Sequence, residues 1–372
     1  MKATEATRGP DDGRHIDPAL GVMSGEGAGM RVRVPEHAYP APREIARAAS
    51  DHDARTYYGQ PVLKAPVWIW SVPAYFFVGG TAGAASALAA AAEALDPLGS
   101  RRLVRRAHQI SMAGDILSAG LLIHDLGRPT RFLNMLRVFR PTSAMSIGSW
   151  ALAASGATGT LAVIAGERRG AIGGVGKAAG YVSGALGLVL AGYTGVLLAS
   201  TAVPVWQGGR WSLPPLFLAS AAASAGALLA MLPVGRRGRA AARRFARFGD
   251  VATLALGLSY EYEVGRSRRV ARPLRRGAPG ALWAISRGLT GASIVASATA
   301  KGAKRDRTAG VLGLAGAIAL RTAVFLAGKA SAQDPRATFD PQRAAEKTRR
   351  LAAPRRENEV ATMHSTTRVA RT

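Results

Sequence analysis

The residues of this chain that could carry chemistry are few. The 372-residue sequence has no Cys and six His. His15, His37, His52 and His364 sit in polar terminal stretches, whereas His108 and His124 share one apolar stretch. On a helix the latter two stand about 24 Å apart along the axis. A b-type haem needs two imidazoles facing one iron from opposite sides, and no pair here meets that requirement. Without thiols there is no ligand for an iron–sulfur cluster, no zinc ribbon, no disulfide framework and no covalent haem. The chain is therefore expected to hold no haem and no iron–sulfur cluster. If it takes part in redox chemistry, a partner brings the centres and this chain holds a diffusible carrier.

The candidates for that task are Tyr75, His124, Asp125 and Tyr193, with Asp115 deeper as a proton relay. A quinone head group has two carbonyl oxygens and takes up two protons on reduction. Its site needs hydrogen-bond donors such as Tyr or His, and a carboxylate to pass protons. Ionisable groups within membrane spans are costly and mark functional positions by default. Asp115 lies mid-span, with His108 seven residues earlier on the same helical face. Each candidate also has a plain structural reading: the tyrosines as belt or packing residues, Asp115 as the partner of an Arg, and Asp125 as a clip to Arg128.

The elements that must position these groups are membrane helices. Residues 67–92, 146–166, 178–203 and 211–234 contain no charge over 26, 21, 26 and 24 residues. A bilayer core needs roughly 20 apolar helical residues. Four further spans, at 107–126, 243–264, 281–300 and 308–328, carry one or more charges, among them Arg287 and Arg321. The count is eight. Small residues such as Gly79, Gly80 and Gly83, or Gly184, Gly187 and Gly192, allow close helix approach in lipid. Residues 1–66 read as a mostly disordered tail with one short helix near 43–50. Residues 329–372 read as a basic solvated tail with a helix near 343–351.

Net charge is +26, but the basic residues form short clusters between uncharged runs, which argues against nucleic acid and for membrane loops. All six tryptophans fall toward the membrane face on the N-terminal side. An aromatic belt normally forms at both faces, so this face is read as functional, where a partner docks or an amphipathic ligand enters. The loops on that side carry eleven Lys and Arg and the opposite loops seventeen. The positive-inside rule then puts the opposite loops in the cytoplasm and both termini outside.

The run HDLGRPTRFLNMLRVFRPTSAMSIGSW at 124–150 resembles the signature of the NrfD/PsrC family, the membrane subunits of polysulfide reductase-like complexes. YGQPVLKAPVW at 58–68, leading to Gly79-Gly80, and YTGVLLASTAVPVW at 193–206 agree with it. The match covers 57–206; the later spans are similar only in number and hydropathy. The resemblance implies an all-α integral membrane protein of eight transmembrane helices in two four-helix bundles, 67–203 with the quinone site and 204–328. It implies menaquinone or ubiquinone as diffusible substrate, and an iron–sulfur electron-transfer subunit and a molybdopterin-type catalytic subunit as partners. Within the motif, Gly127 can end a helix in a left-handed cap, Pro129 can start the next, and 131–139 should lie in the interface plane with Phe132, Leu133, Leu136 and Phe139 on one face.

The reading is a multi-pass cell-membrane subunit that anchors a peripheral oxidoreductase and exchanges electrons with the quinone pool. The rivals are an eight-helix secondary transporter or proton channel, and a pure anchor without a quinone site. A transporter favours an internal repeat, and no clear residue-level repeat is evident between the first four spans and the last four. The purified chain is expected to show no haem band in a reduced-minus-oxidised spectrum and no stoichiometric iron; a b-haem band on reduction overturns the reading.

Overall fold

The computed structural model describes residues 15–17, 22–24, 63–127, 130–299, 302–340 and 343. The expected helix at 43–50 and nearly all of that at 343–351 lie outside these residues, as does Pro129. The chain divides into two compact units, Met1–Gly59 and Gln60–Thr372. The described part of the first is a two-stranded antiparallel ribbon, β1 (His15–Asp17) and β2 (Val22–Ser24), with Ile16 opposite Met23.

The second unit is helical. Among the described residues eight helices have 19 to 31 residues: α1 (Ser71–Leu95), α2 (Arg101–Leu126), α4 (Ala144–Ala165), α5 (Gly170–Ala199), α7 (Leu213–Met231), α8 (Gly235–Gly265), α10 (Gly277–Thr299) and α11 (Gly302–Ala332). Three short helices lie between them: α3 (Thr130–Met135), α6 (Pro204–Gly208) and α9 (Arg268–Arg275). Five of the long helices, α1, α4, α5, α7 and α11, are long and apolar enough to cross a membrane. The first four correspond to the charge-free runs.

Local chemistry sets the boundaries. Gly127 ends α2 with φ of 70°, the left-handed cap expected there. Ser143 caps α4 by accepting from the Ser146 backbone N–H at 3.3 Å. Prolines occupy the first turns of α6 and α7, where a missing N–H costs nothing. The interfacial segment is shorter than expected. α3 stops at Met135 and the chain turns through Leu136 and Arg137, which donate three residues back to Leu133 and Asn134. Leu133 and Phe139 remain exposed, and Phe139 meets Trp150 edge-on at 6.2 Å. At the other end of the chain α11 runs to Ala332, past the expected end of its span, and Ser331 is buried and accepts from the Val205 N–H at 3.2 Å.

Packing follows the small residues. α1 lies against α2, α5 and α7; α2 also meets α4, and α4 meets α5. α7 packs on α8 and α11, and α10 on α11 and α8. Where α1 and α5 cross, a Cβ added at Gly83 would overlap the Gly187 carbonyl and lie 3.1 Å from the Ala191 nitrogen. Only glycine permits that approach, and dispersion between the two backbones replaces the contacts that lipid would otherwise supply.

At the end away from the tryptophans, Asp306 of α11 is buried and receives two bonds of 2.6 Å from the Arg243 guanidinium of α8. That forked pair links α8 to the start of α11. Gly187→Val is expected to destabilise the fold by about 1–3 kcal/mol through overpacking. Gly288→Ala, at a position with nothing within 4 Å, should leave thermal stability in detergent unchanged or slightly raised; equal losses at both sites would show that the close crossing is not what the helices depend on.

Candidate functional site at the tryptophan-rich end

The start of α1, the end of α2, the start of α4 and the end of α5 come together at one end of the helical unit. Trp70 and Ser71 open α1, and Tyr75 follows Ser71 by one turn on the same face. Ser71 is buried and donates to Asp125 Oδ1 at 3.2 Å. Tyr75 is 3% and Tyr193 8% exposed, and their hydroxyl oxygens stand 3.5 Å apart. The contact is long for a hydroxyl pair; Tyr75 donates to Tyr193, and the Tyr193 proton is left to offer elsewhere. Behind Tyr193 lies Gly148, where a Cβ would overlap the phenol ring. The glycine in the 124–150 motif thus makes the space that the ring fills.

Three predicted residues therefore lie close together: Tyr75 and Tyr193 meet inside the helices, and Asp125 is held by Ser71, one turn before Tyr75 on α1. His124 is different. It is exposed at the end of α2, with its ring 5.7 Å from that of Trp70, which is itself 65% exposed. The sequence places it among buried donors; the structure puts it at the outer rim, because His124 and Asp125 are successive residues and point about 100° apart around the helix.

Asp115 lies ten residues earlier on α2 and is 3% exposed. Its Oδ2 accepts from Ser155 of α4 at 3.0 Å, and its Oδ1 has no partner. No arginine reaches it among the described residues. Around it runs a line of buried polar atoms without partners: His108 Nδ1, Ser111 Oγ and Ser118 Oγ on α2, and Ser183 Oγ and Thr194 Oγ1 on α5. Ser111 and Ser118 flank Asp115 at one turn on either side, so one stripe of α2 is polar while the helix is buried along it. Buried polar groups are normally satisfied. Here a row of hydroxyls and one imidazole nitrogen is left without partners along the buried stripe.

The tryptophans share this end of the molecule but not one environment. Trp68 stacks on Trp206 at 6.0 Å, and Trp206 is wholly buried, donating from Nε1 to the Val324 carbonyl at 2.8 Å. Trp283 is 3% exposed and bonds Glu261. Trp70 and Trp211 alone stand mostly exposed, at 65% and 75%. Ser71, Ser155 and Gly148 were not anticipated as parts of the site. Small residues fill every helix of this chain, and nothing in their type marks the three that touch Asp125, Asp115 and Tyr193.

Long apolar helices with carboxylates and hydroxyls held between them define a multi-pass membrane protein. A family model described as polysulfide reductase, of the NrfD type, matches residues 54–333, and the chain belongs to that family. No curated protein matches it. The family implies a membrane subunit of a redox complex, associated with oxidoreductase subunits. Ser155→Ala is expected to leave both Asp115 oxygens without partners and lower stability by about 1–3 kcal/mol. Ser118→Ala, which removes a hydroxyl that bonds nothing, should cost no stability; the opposite order in thermal melts would refute this assignment of partners.

Proposed function

We propose that this chain is the quinone-interacting membrane subunit of a molybdopterin and iron–sulfur oxidoreductase. It exchanges electrons between a partner iron–sulfur subunit and the membrane quinone pool. The observation that carries the reading is the meeting of the Tyr75 and Tyr193 hydroxyls one turn from the Ser71–Asp125 pair, inside the region matched by the family. In this reading the eight long helices all cross the bilayer as two four-helix bundles, 67–203 and 204–328. The neighbour pattern supports it: α1, α2, α4 and α5 contact one another in a ring, and so do α7, α8, α10 and α11.

The residues present suit a quinone head group. Two phenols can donate to carbonyl oxygens. Ser118 Oγ, buried and without a partner, lies beside Gly79 and near the Tyr75 ring. Bound menaquinone or ubiquinone accepts or releases two electrons and two protons. The chain's own residues orient it and move the protons. Tyr75 and Tyr193 hold the carbonyl oxygens, Asp125 returns protons through Ser71 at the outer rim, and His124 against Trp70 borders the entry. Asp115 with Ser155 stands deeper, as a proton relay along the polar stripe of α2. The head group sits near the face where a peripheral partner docks, and the isoprenoid tail stays in lipid. The cleft of about 390 Å³ lined by Arg268, Arg269, Arg272, Arg275 and Arg276 gives the same end a positive surface for an acidic partner.

Two experiments test this. In the assembled complex, Tyr193→Phe, His124→Ala and Gly148→Ala are each expected to lower quinone-dependent turnover at least about tenfold, roughly 1.4 kcal/mol. Reduction of an artificial dye by the partner enzyme should be unchanged. Full quinone activity in both Tyr193→Phe and His124→Ala would place the site elsewhere. For topology, reporter fusions should find segments 101–106 and 236–247, the first turns of α2 and α8, in the cytoplasm and 128–140 outside, as the positive-inside count predicts; cytoplasmic labelling of 128–140 reverses the orientation and puts the partner enzyme inside.

A further inference from the structure

The two rings of helices share more than their number. Trp70-Ser71-Val72-Pro73 opens α1, and Trp211-Ser212-Leu213-Pro214 opens α7. In both tetrapeptides the Trp is exposed and the Ser is buried. In both, the Ser hydroxyl donates to a carboxylate near the end of the following long helix: Ser71 to Asp125 of α2 at 3.2 Å, Ser212 to Glu263 of α8 at 2.6 Å. Counting from the tetrapeptides, Phe76 corresponds to Phe217 and Gly80 to Ala221. These equivalent residues touch each other. The two phenyl rings are 6.1 Å apart, and a Cβ on Gly80 would lie 3.5 Å from that of Ala221. Contact between like positions is what a two-fold axis produces. Arg321 sits there, bonding the Phe76 carbonyl from Nε at 3.0 Å and the Phe217 carbonyl from Nη2 at 3.3 Å.

The repeat extends to the interior acid. In the first ring, Asp115 of the second helix accepts from Ser155 of the third at 3.0 Å. In the second ring, Asp250 of α8 meets Ser293 of α10 at 2.8 Å. Asp250 is 4% exposed and Ser293 3%. Among the described residues no Lys, Arg or His pairs with Asp250: Arg243 is taken by Asp306, Arg287 by Glu261. The Ser293 hydroxyl also lies 3.0 Å from the Ala309 carbonyl. A hydroxyl has one proton, and a carbonyl can only accept. Both contacts are satisfied at once when Ser293 donates to Ala309 and the Asp250 carboxyl carries a proton that it donates to Ser293.

We infer that Asp250 with Ser293 is a second proton-holding site inside the membrane, the repeat of Asp115 with Ser155. What the second ring lacks is the quinone-facing part. Tyr75 corresponds to Leu216, wholly buried and apolar. So Tyr75 has no phenol at its equivalent position, while each ring carries one interior acid. The Asp250 site does not depend on quinone binding in the first ring and stands if that reading fails.

Infrared spectroscopy of the full-length protein in its complex tests this. Wild-type protein should show the carbonyl stretch of a protonated carboxylic acid that shifts on hydrogen–deuterium exchange and is lost in Asp250→Asn. Ser293→Ala, which keeps the acid and removes its partner hydroxyl, should shift that band without abolishing it. Loss of ionised-carboxylate bands instead, in Asp250→Asn, overturns the inference, as does a Ser293→Ala spectrum in which the acid band stays where it was. If Asp250→Asn fails to assemble, Ser293→Ala alone decides between these outcomes. A corresponding band lost in Asp115→Asn tests the first ring separately, so loss of quinone turnover and loss of the Asp250 band report on different claims.

Discussion

A guanidinium buried in the middle of apolar helices is the constraint on which the rest of this structure depends. Arg321 is 1% exposed and meets no carboxylate among the described residues. Its charge is answered by dipoles and ring faces: carbonyls of Phe76, Phe217 and Ala317, the Ser220 hydroxyl, and the phenyl groups of Phe77 and Phe217. Removing a charge from water without such partners costs several kcal/mol. The partners come from α1, α7 and α11, so those three helices must keep their register for Arg321 to remain satisfied. The α1 face that this fixes on one side is continuous with the face that carries Ser71 and Tyr75.

Around that centre, small residues settle distances and polar residues settle directions. Gly83 against Gly187 brings α1 and α5 together, and Gly148 yields its volume to Tyr193. The result is that phenols from helices far apart in sequence reach one another with little else to position them. Hydroxyls then tie single carboxylates across helices. Each of these bonds is modest, about 0.5–1.5 kcal/mol net in water, but in a helix interior each selects one rotation of its helix.

Much of this was legible in the sequence. The charge-free runs anticipated α1, α4, α5 and α7, and Gly127 was readable as a helix end because the αL cap has a residue preference. Helix ends near charges were harder. α5 begins at Gly170, eight residues before its charge-free run, since Lys177 does not stop the helix but pairs with Glu93 at 3.1 Å. The neighbours of Asp115 and Arg321 were not legible at all. That of Asp115 is a serine among many, and those of Arg321 are backbone carbonyls, which exist at every position, another serine and two phenyl faces. The repeat escaped a residue-by-residue reading because most of it is conserved in geometry. Only two tetrapeptides retain it as letters, and their meaning shows once Ser71 and Ser212 are seen to grip carboxylates in the same way.

The length of α5 has a consequence for the lipid around the protein. Its 30 residues span about 45 Å, against roughly 30 Å for a hydrocarbon core. The Lys177–Glu93 pair ties its second turn to the end of α1, so the surplus cannot be drawn inward without breaking that link. A thicker bilayer can climb over the turns before Lys177, where Gly173, Gly174 and Gly176 leave the helix slim, while a thinner one bares them. The surplus length of α5 therefore lies at the end remote from Tyr75 and Tyr193, on the turns before Lys177.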